Sequence, residues 1–249
     1  MFNQRDDKQI IEILETFATC DISDGLLNLY KIPNGGFIPN LELRSSANYR
    51  RRSTVGRAYT VKYVPTDDPT YIDEPTLNYI DNIPEDSILV SGFTEELQLP
   101  MAPYVKPITA IFGGLNAQRA QYLKCRGAVV LARVRDVGEL QEIGFPLYSY
   151  GVSTCSSNAS LKPISVDETL HIVTSDGLKI YVHSGDLMIM DDNGVVRIPS
   201  NSQIDICKLI EYIQKSIKVD ELISQDISVG KPINSSRAER RNILKEITK

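Results

Sequence analysis

The sequence predicts an α/β protein with helices at both ends. Three observations carry this reading. Apolar residues recur at helical spacing near each terminus, strand-like apolar runs fill the middle, and one central stretch alternates strand, helix and strand. With 249 residues, 42% hydrophobic and 24% charged, the chain suits a single domain over 1–249. Its core is expected over about 16–200, with a helical extension over about 202–249.

The first element is a helix over 8–18, "KQIIEILETFA", where apolar positions keep to one face. "CDISDGLLNLY" reads as a short second helix, with Ser23 or Asp24 as its cap. "VGRAYTVKYVP" and "DSILVSGF" read as strands separated by Pro and Asp clusters. Next come the strand "ITAIF", the pair Gly113 and Gly114, a helix over Leu115–Arg126 stopped by Gly127, and the strand "AVVLARV". The strands between 145 and 199 are short, and Asp192, Asn193 and Gly194 supply the turn of a hairpin in "DLMIMDDNGVVRIP". From Ser202 to Ile223, the residues Ile206, Leu209, Ile210, Ile213 and Ile217 form one helical stripe. That stripe predicts a helix packed on the body or on a neighbouring subunit.

Composition narrows the function. A net charge of -5 argues against a general polyanion binder, and the basic run Arg50, Arg51, Arg52 reads as a solvated loop. The charged N-terminal stretch, and the lack of any apolar run near the ~20 residues that span a bilayer, predict a cytoplasmic protein with no membrane partner. Cys20, Cys125, Cys155 and Cys207 show no C-x-x-C spacing, and the histidines are His171 and His183. Zinc, a disulfide framework and a Cys/His nucleophile pair are therefore disfavoured, and each cysteine is expected as a small core residue. No G-x-G-x-x-G follows a strand, which disfavours a methyltransferase.

The central unit has a geometric consequence. A helix from Leu115 to Arg126 climbs roughly 18 Å, and a strand from Ala128 to Val134 returns roughly 20 Å. Gly113 and Gly114 should then lie beside Arg135 and Asp136 at the carboxyl edge of a parallel unit, where open α/β sheets bind ligands. Free N–H groups at the helix start suit a carboxylate, Arg135 offers a bidentate grip on it, and Asp136 suits a hard divalent cation. Plainer readings compete. Asp136 and Glu139 have the spacing of a capping box, Arg135 suits a surface ion pair, and the glycines suit a tight turn. Lys62 is a Schiff-base candidate if buried, and otherwise a residue on the wet face of an edge strand.

Gly114, twenty residues, Arg135, Asp136, two residues and Glu139 reproduce the G-x20-R-D-x2-E/D signature. "CDISDGL", "VGRAYTVK", "PEDSILV", "FGGLNAQRAQYLKCRGAVV", "FPLYSYG" and "SGDLMIMDDNGVVRIP" follow in matching order. In these segments, over roughly residues 16 to 230, the chain resembles the RraA-like family. That family includes class II 4-hydroxy-4-methyl-2-oxoglutarate/4-carboxy-4-hydroxy-2-oxoadipate aldolases and ribonuclease E regulators. "CDISDGLLNLY" and "RAQYLK" are most similar to its fungal members.

The resemblance implies a swivelling β/β/α sandwich, assembled as a homotrimer or a dimer of trimers with sites at subunit interfaces. It implies Mg2+ or Mn2+ on Asp136 and waters, pyruvate oxygens met by Arg135, and a carboxylate taken by the amides of Gly114, Leu115, Asn116 and Ala117. Arg135, Asp136 and Glu139 are the catalytic candidates, and Gly113 joins the substrate-binding set. Acids of a neighbouring chain, among them Asp220, Glu221 or Asp226, are possible assistants. Two departures stand out: Ala132 and Arg133 replace a family "DG", and Tyr148–Gly151, "YSYG", replaces "FARG" and loses an arginine. The implied activity is metal-dependent retro-aldol cleavage of 4-hydroxy-2-oxo acids with oxaloacetate decarboxylation, through a shared pyruvate enolate. The alternative is a non-catalytic, protein-binding regulator; Glu139, which such regulators tend to lack, favours the enzyme.

Overall fold

The computed structural model describes residues 4–45, 53–200 and 203–246, so the run Arg50–Arg52 lies outside the described residues. Helices α1 (Gln4–Leu14) and α2 (Thr19–Tyr30) lead into short strands β1 (Phe37–Ile38) and β2 (Glu42–Leu43). Strands β3 (Thr54–Pro65), β4 (Ser87–Phe93) and β5 (Ala110–Phe112) precede α3 (Gly114–Tyr122), β6 (Gly127–Val134), α4 (Val137–Ile143) and β7 (Leu147–Val152). Strands β8 (Leu161–Val166), β9 (Leu170–Val173), β10 (Lys179–Val182), β11 (Leu187–Asp191) and β12 (Gly194–Ile198) follow. Helices α5 (Ile206–Ser228) and α6 (Ile233–Arg240) close the chain.

Ten strands form one mixed sheet in the order β1-β12-β11-β3-β4-β6-β7-β2, with β5 beside β6 and β8 beside β3. Strands β3, β4, β6 and β7 run parallel, and every residue of β4 is buried, as a central parallel strand requires. Side chains alternate between two apolar layers. Tyr59, Val61, Leu89, Val130 and Ala132 face α3 and α4, and Ala58, Ile88, Val90, Val129 and Leu131 face the separate β9–β10 hairpin. A third core joins α1, α2 and α5 to β11 and β12 through Leu14, Ile22, Ile189, Ile198, Leu209 and Ile213. Helices α2 and α5 cross so closely that a Cβ on Gly25 would stand 2.8 Å from Leu209 Cδ1.

Several local expectations change. Helix α2 starts five residues before Asp24, at Thr19, because one distant and one local carboxylate hold its end. Asp191 beside the hairpin turn accepts the Thr19 N–H at 2.8 Å and its hydroxyl at 2.6 Å, and Asp21 accepts the Ala18 N–H at 3.2 Å. Ser23 and Asp24 sit inside the helix instead of capping it. Helix α3 ends at Tyr122, and Gly127 opens β6, where a Cβ would meet Met190 Cε at 2.6 Å. Cys125 is buried, whereas Cys20, Cys155 and Cys207 are exposed. Lys62 lies on the internal strand β3, not an edge, and is paired with Glu168, whose carboxyl it holds below the ordinary range. Asp226 is engaged within its own chain. Arg240 binds it at 2.9 and 3.0 Å, Ser236 at 2.7 Å and Lys231 at 3.2 Å. The expected hairpin is present, with Asp191 opposite Gly194. Among the described residues no helix is long and apolar enough to cross a membrane.

Candidate functional site

Strands β5 and β6 lie side by side, with Phe112 level with Val134 and the Arg135 N–H donating to the Phe112 carbonyl at 3.0 Å. Gly113 and Arg135 therefore leave the sheet together at its carboxyl edge. This is the juxtaposition that the length argument predicts, even though α3 is shorter than expected.

Asp136 is the turning point. Its backbone is left-handed, at φ 60° and ψ 41°, a region that few residues other than glycine enter and that Asp tolerates better than most. Its carbonyl starts α4 by accepting the Leu140 N–H at 3.0 Å, but its side chain makes no bond to that helix. Oδ2 instead faces the start of α3, accepting the Gly114 N–H at 3.2 Å, with Arg135 Nε at 3.3 Å. The capping-box reading is corrected: the left-handed turn aims the carboxylate away from the helix that it begins. Arg135 does form an ion pair, but with Asp136 at the mouth of a cleft; their side chains are 39% and 34% exposed.

The glycine pair makes room for acids. Gly113 has an extended φ of -156°, which any residue adopts, yet a Cβ there would stand 2.5 Å from Asp136 Oδ2. A Cβ on Gly114 would stand 2.0 Å from Glu139 Oε2. Two carboxylates thus pack against the start of a helix whose first-turn amides, Leu115 and Asn116, have no acceptor within the helix. Ala117 is a correction to the predicted set: its N–H closes the first turn on the Gly113 carbonyl at 3.1 Å, so it is not free for a ligand.

These groups border a cleft of about 180 Å³, lined by Gly113, Leu115, Asn116, Arg135 and Asp136. Its far wall holds Ser156 and Asn158, which the sequence reading missed. They reach it because the loop after β7 hydrogen-bonds to β5: Ala110 N–H to the Cys155 carbonyl at 2.8 Å, and Ser157 N–H to the Ala110 carbonyl at 3.0 Å. The polar run "STCSSNAS" directly after a strand was the available signal. The lining offers one carboxylate and neither imidazole nor thiol. That donor set fits a hard divalent cation that keeps most of its waters, such as Mg2+ or Mn2+, better than it fits zinc.

The "YSYG" segment lies on β7. Tyr150 packs its ring 5.3 Å from that of Tyr104, and burial pushes its hydroxyl pKa up. Arg133 crosses from β6 over Gly151 and donates to the Val152 carbonyl at 3.1 Å. Neither Tyr150 nor Arg133 lines the cleft. A larger cavity, of about 790 Å³, is bordered by residues 84–87 at the entry to β4 and by Arg57 and Arg126. Those arginines are already paired with Asp7, Glu15 and Asp86, and no predicted site residue lines that cavity.

A family model described as RraA-like, Aldolase/RraA, matches residues 19–197. The chain is 25% identical over 231 residues to protein DlpA of Legionella pneumophila, covering 92% of this chain and 32% of that protein. It is 32% identical over 122 residues to an uncharacterized protein of Methanocaldococcus jannaschii, covering 48% of this chain and 56% of that one. The chain thus spans about a third and just over half the length of these two curated relatives. Among solved structures, an uncharacterized protein from Pseudomonas syringae pv. tomato superposes with a TM-score of 0.70 at 24% identity, covering 92% of this chain and 97% of that one. Streptomyces coelicolor RraAS2, described as an unusual member of the RNase ES inhibitor RraA protein family, gives 0.61 at 18%, covering 90% and 96%. At these identities the two structures speak to fold alone.

Proposed function

The chain belongs to the RraA-like family, and from that premise we propose that it is a divalent-metal-dependent lyase acting on 4-hydroxy-2-oxo acids and oxaloacetate. One observation carries the reading: the left-handed Asp136 turns its carboxylate to the Gly114 amide, beside Arg135 and a half-open cleft, instead of capping its own helix. A strained backbone that forfeits a cap points to a role outside local stability. Asp136 is the residue that would hold Mg2+ or Mn2+, and the ion supplies Lewis acidity at the 2-oxo-carboxylate.

The protein groups have separable tasks. The free amides of Leu115 and Asn116 receive the substrate carboxylate, helped by the positive end of α3. Arg135 stabilises the negative charge that develops on the C2 oxygen as the C–C bond breaks, more strongly than it does the neutral ketone. Glu139, its carboxylate against Gly114, accepts the C4 hydroxyl proton through water in the aldol case; decarboxylation needs no such base. No lysine is required, and Lys62 is occupied by Glu168.

The test is pyruvate release from oxaloacetate by purified protein. We expect a rate above the metal-only background that disappears with EDTA and returns with Mg2+ or Mn2+. Activity unchanged in EDTA sinks the proposal. The regulator reading predicts no release above background under any of these conditions.

A further inference from the structure

The cleft at Asp136 has a neighbour. A second cavity, of about 220 Å³, shares Ile111, Asn116 and Asn158 with it and is bordered on its other side by the segment 76–80. Its lining contains no charged side chain. Its deep end carries the hydroxyl pair Tyr63–Tyr79, 3.0 Å apart, and burial keeps both phenols neutral, that of Tyr79 pushed up to about 12. The amides of Asn116 and Asn158, on the rim common to both cavities, have no side-chain hydrogen-bond partner among the described residues.

We propose that the distal cavity receives the aldehyde half of the substrate, and that this half is neutral and hydroxylated, not a second carboxylate. The inference rests on the lyase reading and narrows it. No charged side chain of its own chain lines the distal cavity, and Arg135, the one cation lining the adjoining cleft among the described residues, already faces Asp136 at 3.3 Å. Arg133, on the neighbouring strand, donates to the Val152 carbonyl and lines neither cavity. Asp136 adds like charge at the near end. Desolvating a carboxylate without a paired cation is unfavourable, whereas hydroxyls satisfy the free amides, and the hydrogen-bonding capacity that the phenol pair retains, at little cost. The dicarboxylates implied by the family resemblance are then the poorer substrates, and polyhydroxylated 2-oxo acids the better ones.

The reaction balances without a co-reactant. The C4 hydroxyl proton leaves to the base, the C3–C4 bond breaks, C4 becomes an aldehyde carbonyl, and the electron pair passes into the C2–C3 enolate. Protonation at C3 gives pyruvate.

The experiment compares kcat/KM for 4,5,6-trihydroxy-2-oxohexanoate and 4-hydroxy-2-oxoglutarate on the same Mg2+-loaded preparation, with oxaloacetate decarboxylation measured alongside. The trihydroxy acid should be favoured by about tenfold or more, because free polar groups discriminate more sharply than apolar walls. Asn158→Arg should move that ratio toward the dicarboxylate by about tenfold, and Thr76→Lys, on the opposite wall, should move it the same way. Decarboxylation with the dicarboxylate favoured, with no cleavage of either aldol, or with a ratio that neither variant moves overturns this inference and leaves the lyase reading standing. Failure on all three substrates overturns both.

Discussion

At the scale of single residues, Asp136 and Gly114 separate chemistry from architecture. Asn tolerates the left-handed region as Asp does, and its carbonyl can still accept the Gly114 N–H. Asp136→Asn should therefore keep stability to within about 1 kcal/mol while turnover falls by orders of magnitude. Melting beside turnover reads this, and near-normal turnover at saturating Mg2+ would return Asp136 to a structural role. Arg135→Lys should also be damaging, since lysine keeps the charge but not the planar fork. Gly114→Ala is the complementary case. Its Cβ needs the space of Glu139 Oε2, the free end of a flexible side chain, so the acid swings aside and stability drops by only about 1 kcal/mol. Retro-aldol cleavage should fall more than decarboxylation, because only the former uses a base; equal losses would remove Glu139 from the mechanism. The spacing from Gly114 to Glu139 was legible in the sequence, but the aim of its side chains was not. D-x-x-E specifies a capping box equally well, and what decides is a single backbone dihedral at residue 136.

At the scale of elements, contacts distant in sequence explain what local patterns missed. The predicted strand-helix-strand unit appears with Gly113 beside Arg135, because the rise per residue fixes where a returning strand must end. The start of α2 was misread because its acceptor, Asp191, lies 172 residues away, and no local signal encodes that. The amphipathic stripe of α5 was legible, but its partner was not. It packs on α2, and the α5–α6 corner is then locked by Asp226, whose carboxyl is held well below the usual range by Arg240, Ser236 and Lys231. A depressed carboxylate contributes stability above its unfolded pKa of about 3.9 and loses it as pH falls through the folded value. Asp226→Asn should thus melt below the parent at neutral pH, with the difference closing below about pH 4. A gap that persists into strong acid would show that packing, not the ion pairs, holds the corner.

At the scale of the whole molecule, the stripe of α5 no longer argues for subunit contact, since Leu209 and Ile213 are buried within the chain. Other apolar residues remain uncovered across the described residues, and two of them stand beside the candidate site. Leu115, in the cleft lining, is 76% exposed, and Val152 is 48% exposed. Val152 is level with Val134, as Phe112 is, so it emerges at the same carboxyl edge as Gly113 and Arg135. Large side chains held open around a half-exposed Arg–Asp pair suit a face that a second copy of the chain covers, narrowing the cleft and excluding water from it. A ring trimer or a dimer of trimers in solution is the expected assembly, with mass from light scattering as the check. Val152→Glu should shift that mass toward the monomer and lower turnover with it, because the covering subunit and the dry site are lost together. A monomer of the parent protein at working concentration would break this link, and so would a Val152→Glu variant that dissociates yet turns over normally.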